Sequence, residues 1–221
     1  MTPVQRIQEN ILANKERQLL NWLCARLPTW VNPDLLTSIG FFGMLMVFAG
    51  YALSFYNPIW LWFAILGYFV NWFGDSLDGS LARFRKIERP LFGYFVDHST
   101  DALGNLIALI GLGLSPYVRL DVALFAIAGY LLLSIHTFLA ARVIGEFRLT
   151  YMAGGPTELR IILIIMAMTM YFVGPELLSD ASYSGFDIFA GSVGIILIIL
   201  FIIQTWQTAL ILNEREKQKT E

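Results

Sequence analysis

The sequence predicts an all-α integral membrane protein: six transmembrane helices behind an N-terminal amphipathic interfacial helix. Three observations carry that expectation. Of 221 residues, 57% are hydrophobic and only 14% are charged, a balance too apolar for an ordinary soluble domain. Residues 36–56, 161–175 and 188–213 hold no Asp, Glu, Lys or Arg, and about 20 mainly apolar residues, at roughly 1.5 Å rise each, span a bilayer. Fourteen of the fifteen basic residues fall in segments that alternate along the chain, as the positive-inside rule requires of a multi-span protein.

The elements follow in order. Residues 1–30 read as an interfacial helix: Val4, Ile7, Ile11, Leu12, Leu19, Trp22 and Leu23 alternate with Gln, Glu, Lys and Arg, which suits a helix lying in the membrane plane. A solvated leader is the alternative. The opening "MTPVQRIQENILANKERQLL" is polar and lacks the apolar h-region of a cleavable signal. "WVNPDLLTSIG" turns the chain into the bilayer, with Pro33 placed to begin a helix. Residues 31–213 form the six-span domain, with spans near 36–56, 58–82, 94–115, 119–141, 159–175 and 188–212, and residues 214–221 form a tail. Cys24 is the single cysteine, which excludes an intrachain disulfide and a cysteine-based zinc site. A net charge of −2 gives no electrostatic case for nucleic acid.

Charge sets the orientation. Arg6, Lys15, Arg17 and Arg26 precede the first span, and Arg83, Arg85, Lys86 and Arg89 follow the second. Arg142, Arg148 and Arg160 flank the fourth connection, and Arg215, Lys217 and Lys219 lie in the tail. The other side holds Arg119, with Glu176, Asp180 and Asp187 in its last loop. Both termini and the end of the second span are expected to face the cytoplasm.

That end carries the chemistry. In "GDSLDGSLARFRKIERPLFGYFVDHSTD", Asp75 and Asp78 are three apart and Asp97 and Asp101 four apart, so each pair shares one helix face. A short connection makes the two helices antiparallel neighbours and lets all four carboxylates converge. Clustered anions repel and are costly to desolvate, so a cation is expected among them. Oxygen ligands favour Mg²⁺, Mn²⁺ or Ca²⁺, and one or two such ions suit phosphoryl-type chemistry. Gly79, Ala82 and Gly93 leave room for a ligand beside the aspartates, although glycines also serve close helix packing. Arg83 is a candidate phosphate ligand, with snorkelling as its alternative. Arg85, Lys86 and Arg89 are covered by the positive-inside rule. A cation transporter or channel and a bundle stapled by a structural metal remain open.

Asp75-x₂-Asp78-Gly79-x₂-Ala82-Arg83, followed by Gly93-x₃-Asp97-x₃-Asp101, resembles the signature of the CDP-alcohol phosphotransferases, membrane enzymes that make phospholipids. The link between Arg83 and Gly93 is slightly longer than in the family pattern. The resemblance implies that a hydroxyl attacks the phosphorus of a CDP-linked donor, that CMP leaves and that a phosphodiester forms. It implies that Asp75, Asp78, Asp97 and Asp101 bind Mg²⁺ or Mn²⁺, and that Asp101 is also the general base. Asp78, Gly79, Ala82, Arg83 and Gly93 would line the CDP site. It further suggests a homodimer. The chain looks like the compact prokaryotic members, many of which use CDP-diacylglycerol, and so points to the inner membrane of a prokaryote. "PLFGYFVDHSTD", notably His98, is instead similar to the branch that transfers from CDP-choline or CDP-ethanolamine to diacylglycerol.

Other polar residues are candidates for reading the acceptor alcohol. Arg142 ends the fourth span, and "GGPTELR" supplies Glu158 and Arg160 before the fifth. Arg148 lies between them, and Thr157 and Glu158 also suit an ordinary helix start. Asn71, four residues before Asp75, could orient a ligand. Asn71 and Asn105 equally suit interhelical hydrogen bonding, and His136 a hydrogen-bonded place in the bundle. "YNPIWLWF" and Trp206 read as membrane-interface anchors.

Overall fold

Pro33 does begin a helix, and the residue before it caps that helix. The Asn32 side chain accepts from the Leu35 N–H at 2.8 Å, satisfying a backbone donor that the first turn leaves without a partner. This helix, α2 (Pro33–Leu53), follows α1 (Ala13–Cys24). The chain continues through α3 (Trp60–Arg85), α4 (Pro90–Gly113), α5 (Leu120–Val143), α6 (Pro156–Val173) and α7 (Gly185–Thr220). The computed structural model describes residues 5–7, 13–144, 146–148, 156–175 and 183–220. Gly154, Gly155, Glu176, Asp180 and the side chains of Arg6, Arg148 and Lys219 lie outside the described residues.

By length and composition α2, α5 and residues Gly185–Gln218 of α7 are able to cross a membrane. The chain is therefore a helical membrane protein.

Two boundaries differ from the sequence expectation. Among the described residues, the N-terminal helix covers Ala13–Cys24. Ahead of it, β1 (Gln5–Ile7) is extended and pairs in parallel with β2 (Glu146–Arg148), just beyond α5, in the register Gln5↔Glu146 and Ile7↔Arg148. The link between α3 and α4 is also shorter than the gap between the expected spans 58–82 and 94–115. Lys86 ends α3 in the left-handed conformation (φ 56°), and Pro90 starts α4 at once, since proline suits the first helical position. Asp97 therefore lies well inside α4 rather than at its start.

The α2–α3 contact sets the geometry of the site. Gly40 and Gly43 on α2 face Gly74 and the backbone of Asn71 on α3. A Cβ built on Gly74 would come within 2.2 Å of the Gly40 backbone nitrogen, and one on Gly43 within 2.4 Å of the Asn71 nitrogen. Small residues let membrane helices approach to backbone contact. Below this contact Val47, Tyr51, Leu61, Ala64 and Tyr68 pack with Ala108 and Leu112 of α4 and Met170 of α6.

A second cluster docks α1 on α3. Leu20 and Cys24 pack with Val31, Leu36, Leu77 and Leu81. Arg85 locks the turn that follows: its guanidinium donates to the carbonyls of Leu27 (3.0 Å), Pro28 (2.8 Å) and Val31 (2.5 Å). Its role is thus structural and specific, beyond a place in the positive-inside pattern. Arg89 likewise pairs with Asp34 and lies over the Phe92 ring at 4.3 Å. Arg85→Met is expected to lower stability by about 1.5–3 kcal/mol, the scale of hydrogen bonds to charged groups. Limited proteolysis between residues 26 and 32 checks this: cleavage should accelerate in the variant.

Candidate active site

Helical spacing puts Asn71, Asp75 and Asp78 on one face of α3, one turn apart. These three side chains and Asp101 of α4 line one cavity with Thr37, Gly40, Phe41, Met44 and Thr100. Across the link, Asp97, His98 and Asp101 each offer a ligand atom, all within 4.8 Å of one another. The four aspartates that the sequence singles out thus belong to one polar region where α2, α3 and α4 meet.

Each carboxylate is held differently. Asp78 is 8% exposed; it accepts from the Thr37 hydroxyl at 2.6 Å and from the Gly79 N–H at 2.5 Å. Asp75 is paired with the guanidinium of Arg160. The Arg160 Nε also donates to the Asn71 side-chain oxygen at 2.8 Å, and the Asn71 amide donates to the Gly40 carbonyl at 3.1 Å. Asp97 lies 3.2 Å from His98 Nδ1. The His98 ring is stacked against Phe138 at 5.3 Å and packs on Tyr94 at 4.4 Å. The close triplet is therefore Asp97, His98 and Asp101, while Arg160 and Thr37 engage Asp75 and Asp78.

The donor set fits a divalent cation. Asp75, Asp78 and Asp101 around one cavity, with Asp97 beside Asp101, carry more negative charge than the adjacent Arg160 offsets, and carboxylates with one imidazole are ligands for a divalent cation. The glycines next to the aspartates leave space. A Cβ on Gly93 would meet nothing within 4 Å, and one on Gly79 would meet first the Arg83 guanidinium, at 3.3 Å. Among the described residues neither Cβ would meet another helix, whereas Gly43 and Gly74 lie at a backbone-to-backbone helix contact. Arg83 is exposed and lies back along α3, its guanidinium 3.3 Å from Ser80 Oγ, and the preceding Ala82 is half-buried.

The outlying candidates separate. Arg160 reaches the cavity. Glu158 is half-buried in the first turn of α6, and Arg142 is exposed in the last turn of α5. Asn105 donates to the Tyr130 hydroxyl at 3.0 Å and so bridges α4 and α5. His136 meets Thr205 at 3.3 Å between α5 and α7. Asn71 both orients Arg160 and ties α3 to α2. Sequence reasoning missed Thr37 and used His98 only to compare family branches; its position next to Asp97 was the available signal.

The family model for CDP-alcohol phosphatidyltransferase matches residues 30–212. The chain is similar to cholinephosphotransferase 1 of Danio rerio, 33% identical over 99 residues, covering 41% of this chain and 25% of that protein. It is also similar to the archaetidylinositol phosphate synthase of Pyrococcus horikoshii, 36% identical over 105 residues, covering 47% of this chain and 52% of that protein. The chain thus matches about half or less of the length of these curated relatives.

Proposed function

The chain belongs to the CDP-alcohol phosphatidyltransferase family, and from that premise we propose that it moves a substituted phosphate from a CDP-alcohol to the hydroxyl of a second alcohol, releasing CMP. The observation that carries this reading is one cavity lined by Asp75, Asp78 and Asp101, with Asp97 and His98 beside Asp101. Asp75, Asp78, Asp97 and Asp101 would hold one or two Mg²⁺ or Mn²⁺ ions. Such ions supply neutralisation of pyrophosphate oxygens and of charge developing on the leaving phosphate. Gly79, Ala82, Arg83 and Gly93 form the open shoulder for the cytidine diphosphate, with Arg83 as its guanidinium fork. Asp101 takes the acceptor's proton as the new P–O bond forms and the bond to CMP breaks. Arg160, oriented by Asn71, serves the acceptor pocket; Glu158 and Arg142 are assigned to its outer edge.

The donor assigned is CDP-diacylglycerol and the acceptor a small polar alcohol. The similarity to archaetidylinositol phosphate synthase, of which the match covers about half, supports the compact, prokaryote-type reading. His98 and the similarity to cholinephosphotransferase 1 favour a second reading, with CDP-choline or CDP-ethanolamine donating to diacylglycerol. In either case α3, α4 and α6 cross the bilayer with α2, α5 and α7, while α1 lies in the interface. Residues 1–30, 31–213 and 214–221 are the interfacial segment, the catalytic domain and the tail. Both termini and the cavity face the cytoplasm at a prokaryotic inner membrane, and the protein works as a homodimer. A substrate-pair screen in nanodiscs tests the activity. CMP should be released from CDP-diacylglycerol with one polar alcohol; release only from CDP-choline or CDP-ethanolamine with diacylglycerol selects the second reading. No release from any pair in nanodiscs, with ion flux when the protein is reconstituted in closed vesicles, would overturn both.

A further inference from the structure

We propose that Glu16 of α1 is a positioning residue for the active site, tying the interfacial helix to the two helices that present Asn71, Asp75 and Arg160. This rests on the reading of Arg160 as an acceptor-pocket residue. Glu16 Oε1 accepts from three side chains on two other helices: Trp72 Nε1 at 2.9 Å, Thr157 Oγ1 at 2.7 Å and, more weakly, Ser76 Oγ at 3.4 Å. Trp72 directly follows Asn71, and Ser76 directly follows Asp75. Thr157 stands in the first turn of α6, three residues before Arg160, and so on the same side of that helix. The carboxylate thus fixes the α6 N-terminus against the stretch of α3 that Arg160 must reach. From there Arg160 contacts Asn71 and Asp75.

Its negative charge also suits the site. An acidic group at the start of α6 complements the positive end of the helix dipole. The apolar contact of Leu20 and Cys24 with Leu77 and Leu81 keeps α1 docked without Glu16. Loss of this carboxylate should therefore loosen the start of α6 without undocking α1. Such support matters because small displacements of a positioning group cost rate or affinity out of proportion to their size.

The experiment compares wild type, Glu16→Ala and Glu16→Gln in nanodiscs by two readouts. Glutamine keeps an accepting oxygen without the charge. The first readout is hydrogen exchange across residues 156–163, which needs no turnover. The second is the set of steady-state constants for each substrate. Glu16→Ala should speed exchange at the start of α6 and raise the acceptor KM roughly tenfold, the scale of lost hydrogen bonds to a charged group. The donor KM should stay within about twofold, since Gly79, Ala82 and Gly93 have no side-chain donor for Glu16 to hold. Glu16→Gln should recover most of both changes. Unchanged α6 exchange in Glu16→Ala overturns the positioning role, as does an equal rise in both KM values. A wild type that turns over no pair while its alanine variant still loosens α6 leaves the structural tie standing and removes the reaction it was meant to serve.

Discussion

Asp101→Asn should lower CMP release by roughly a hundredfold or more, the usual span for removing a general base, while leaving the protein folded. Asparagine matches aspartate in size, so the cavity shared with Thr37, Asn71, Asp75, Asp78 and Thr100 keeps its packing. What it loses is the capacity to take a proton from the acceptor. The same change made at Asp75 should act through the cation and the Arg160 pair instead, and should partly yield to higher metal concentration. The Asp101 defect should yield only in the part that reflects its share in holding the cation, and the loss of the base should persist at saturating metal. Initial rates against Mn²⁺ concentration for both variants check this. If Asp101→Asn retains activity within a few-fold of wild type, the base lies elsewhere, and His98, in the same triplet of ligand atoms, becomes the residue to replace next.

Gly74→Val should prevent assembly of a folded protein altogether. The added side chain would start 2.2 Å from the Gly40 nitrogen and 2.4 Å from the Leu36 carbonyl oxygen. Both are backbone atoms, which no rotamer change can move aside. Ordinary overpacking costs about 1–3 kcal/mol; a backbone-to-backbone obstruction in the tightest helix pair lies at or beyond the top of that range. The site is lost with the fold, because Thr37 holds Asp78 and Gly40 holds Asn71 across this same contact. Gly93→Ala is the matched comparison: its Cβ meets nothing within 4 Å, so that variant should fold like wild type. Size-exclusion profiles and thermal unfolding of both variants, side by side, decide the point. A well-folded Gly74→Val protein would show that α2 and α3 are packed differently.

The contrast between these residues explains what the sequence made legible. Asp75 and Asp78, or Asp97 and Asp101, sit on one helix face by spacing alone, and a short link forces the two helices together. The clustering of the four carboxylates can therefore be read locally. The partners of those carboxylates depend on the register between helices distant in sequence, which no spacing encodes. Thr37 is 41 residues from Asp78, and Arg160 is 85 from Asp75. Glu16 looked like one more polar position on an amphipathic helix, and Arg85 like one more cytoplasmic cation. Each fits a general tendency that is correct on average, while its hydrogen-bond partners depend on tertiary structure. The N-terminal helix was overextended for a related reason. Residues 4–12 continue the apolar–polar alternation, yet Gln5–Ile7 instead pairs with Glu146–Arg148, a partner well over a hundred residues away in the chain.

The central claim is that the aspartate cavity carries out metal-dependent transfer from a CDP-alcohol. The most direct test counts CMP and phosphodiester product together in one nanodisc preparation, before chelation, after chelation, and after Mg²⁺ or Mn²⁺ is restored. One CMP per phosphodiester formed is expected, with both lost on chelation and both returning with the metal. CMP without a matching phosphodiester, or turnover indifferent to chelation, would contradict it.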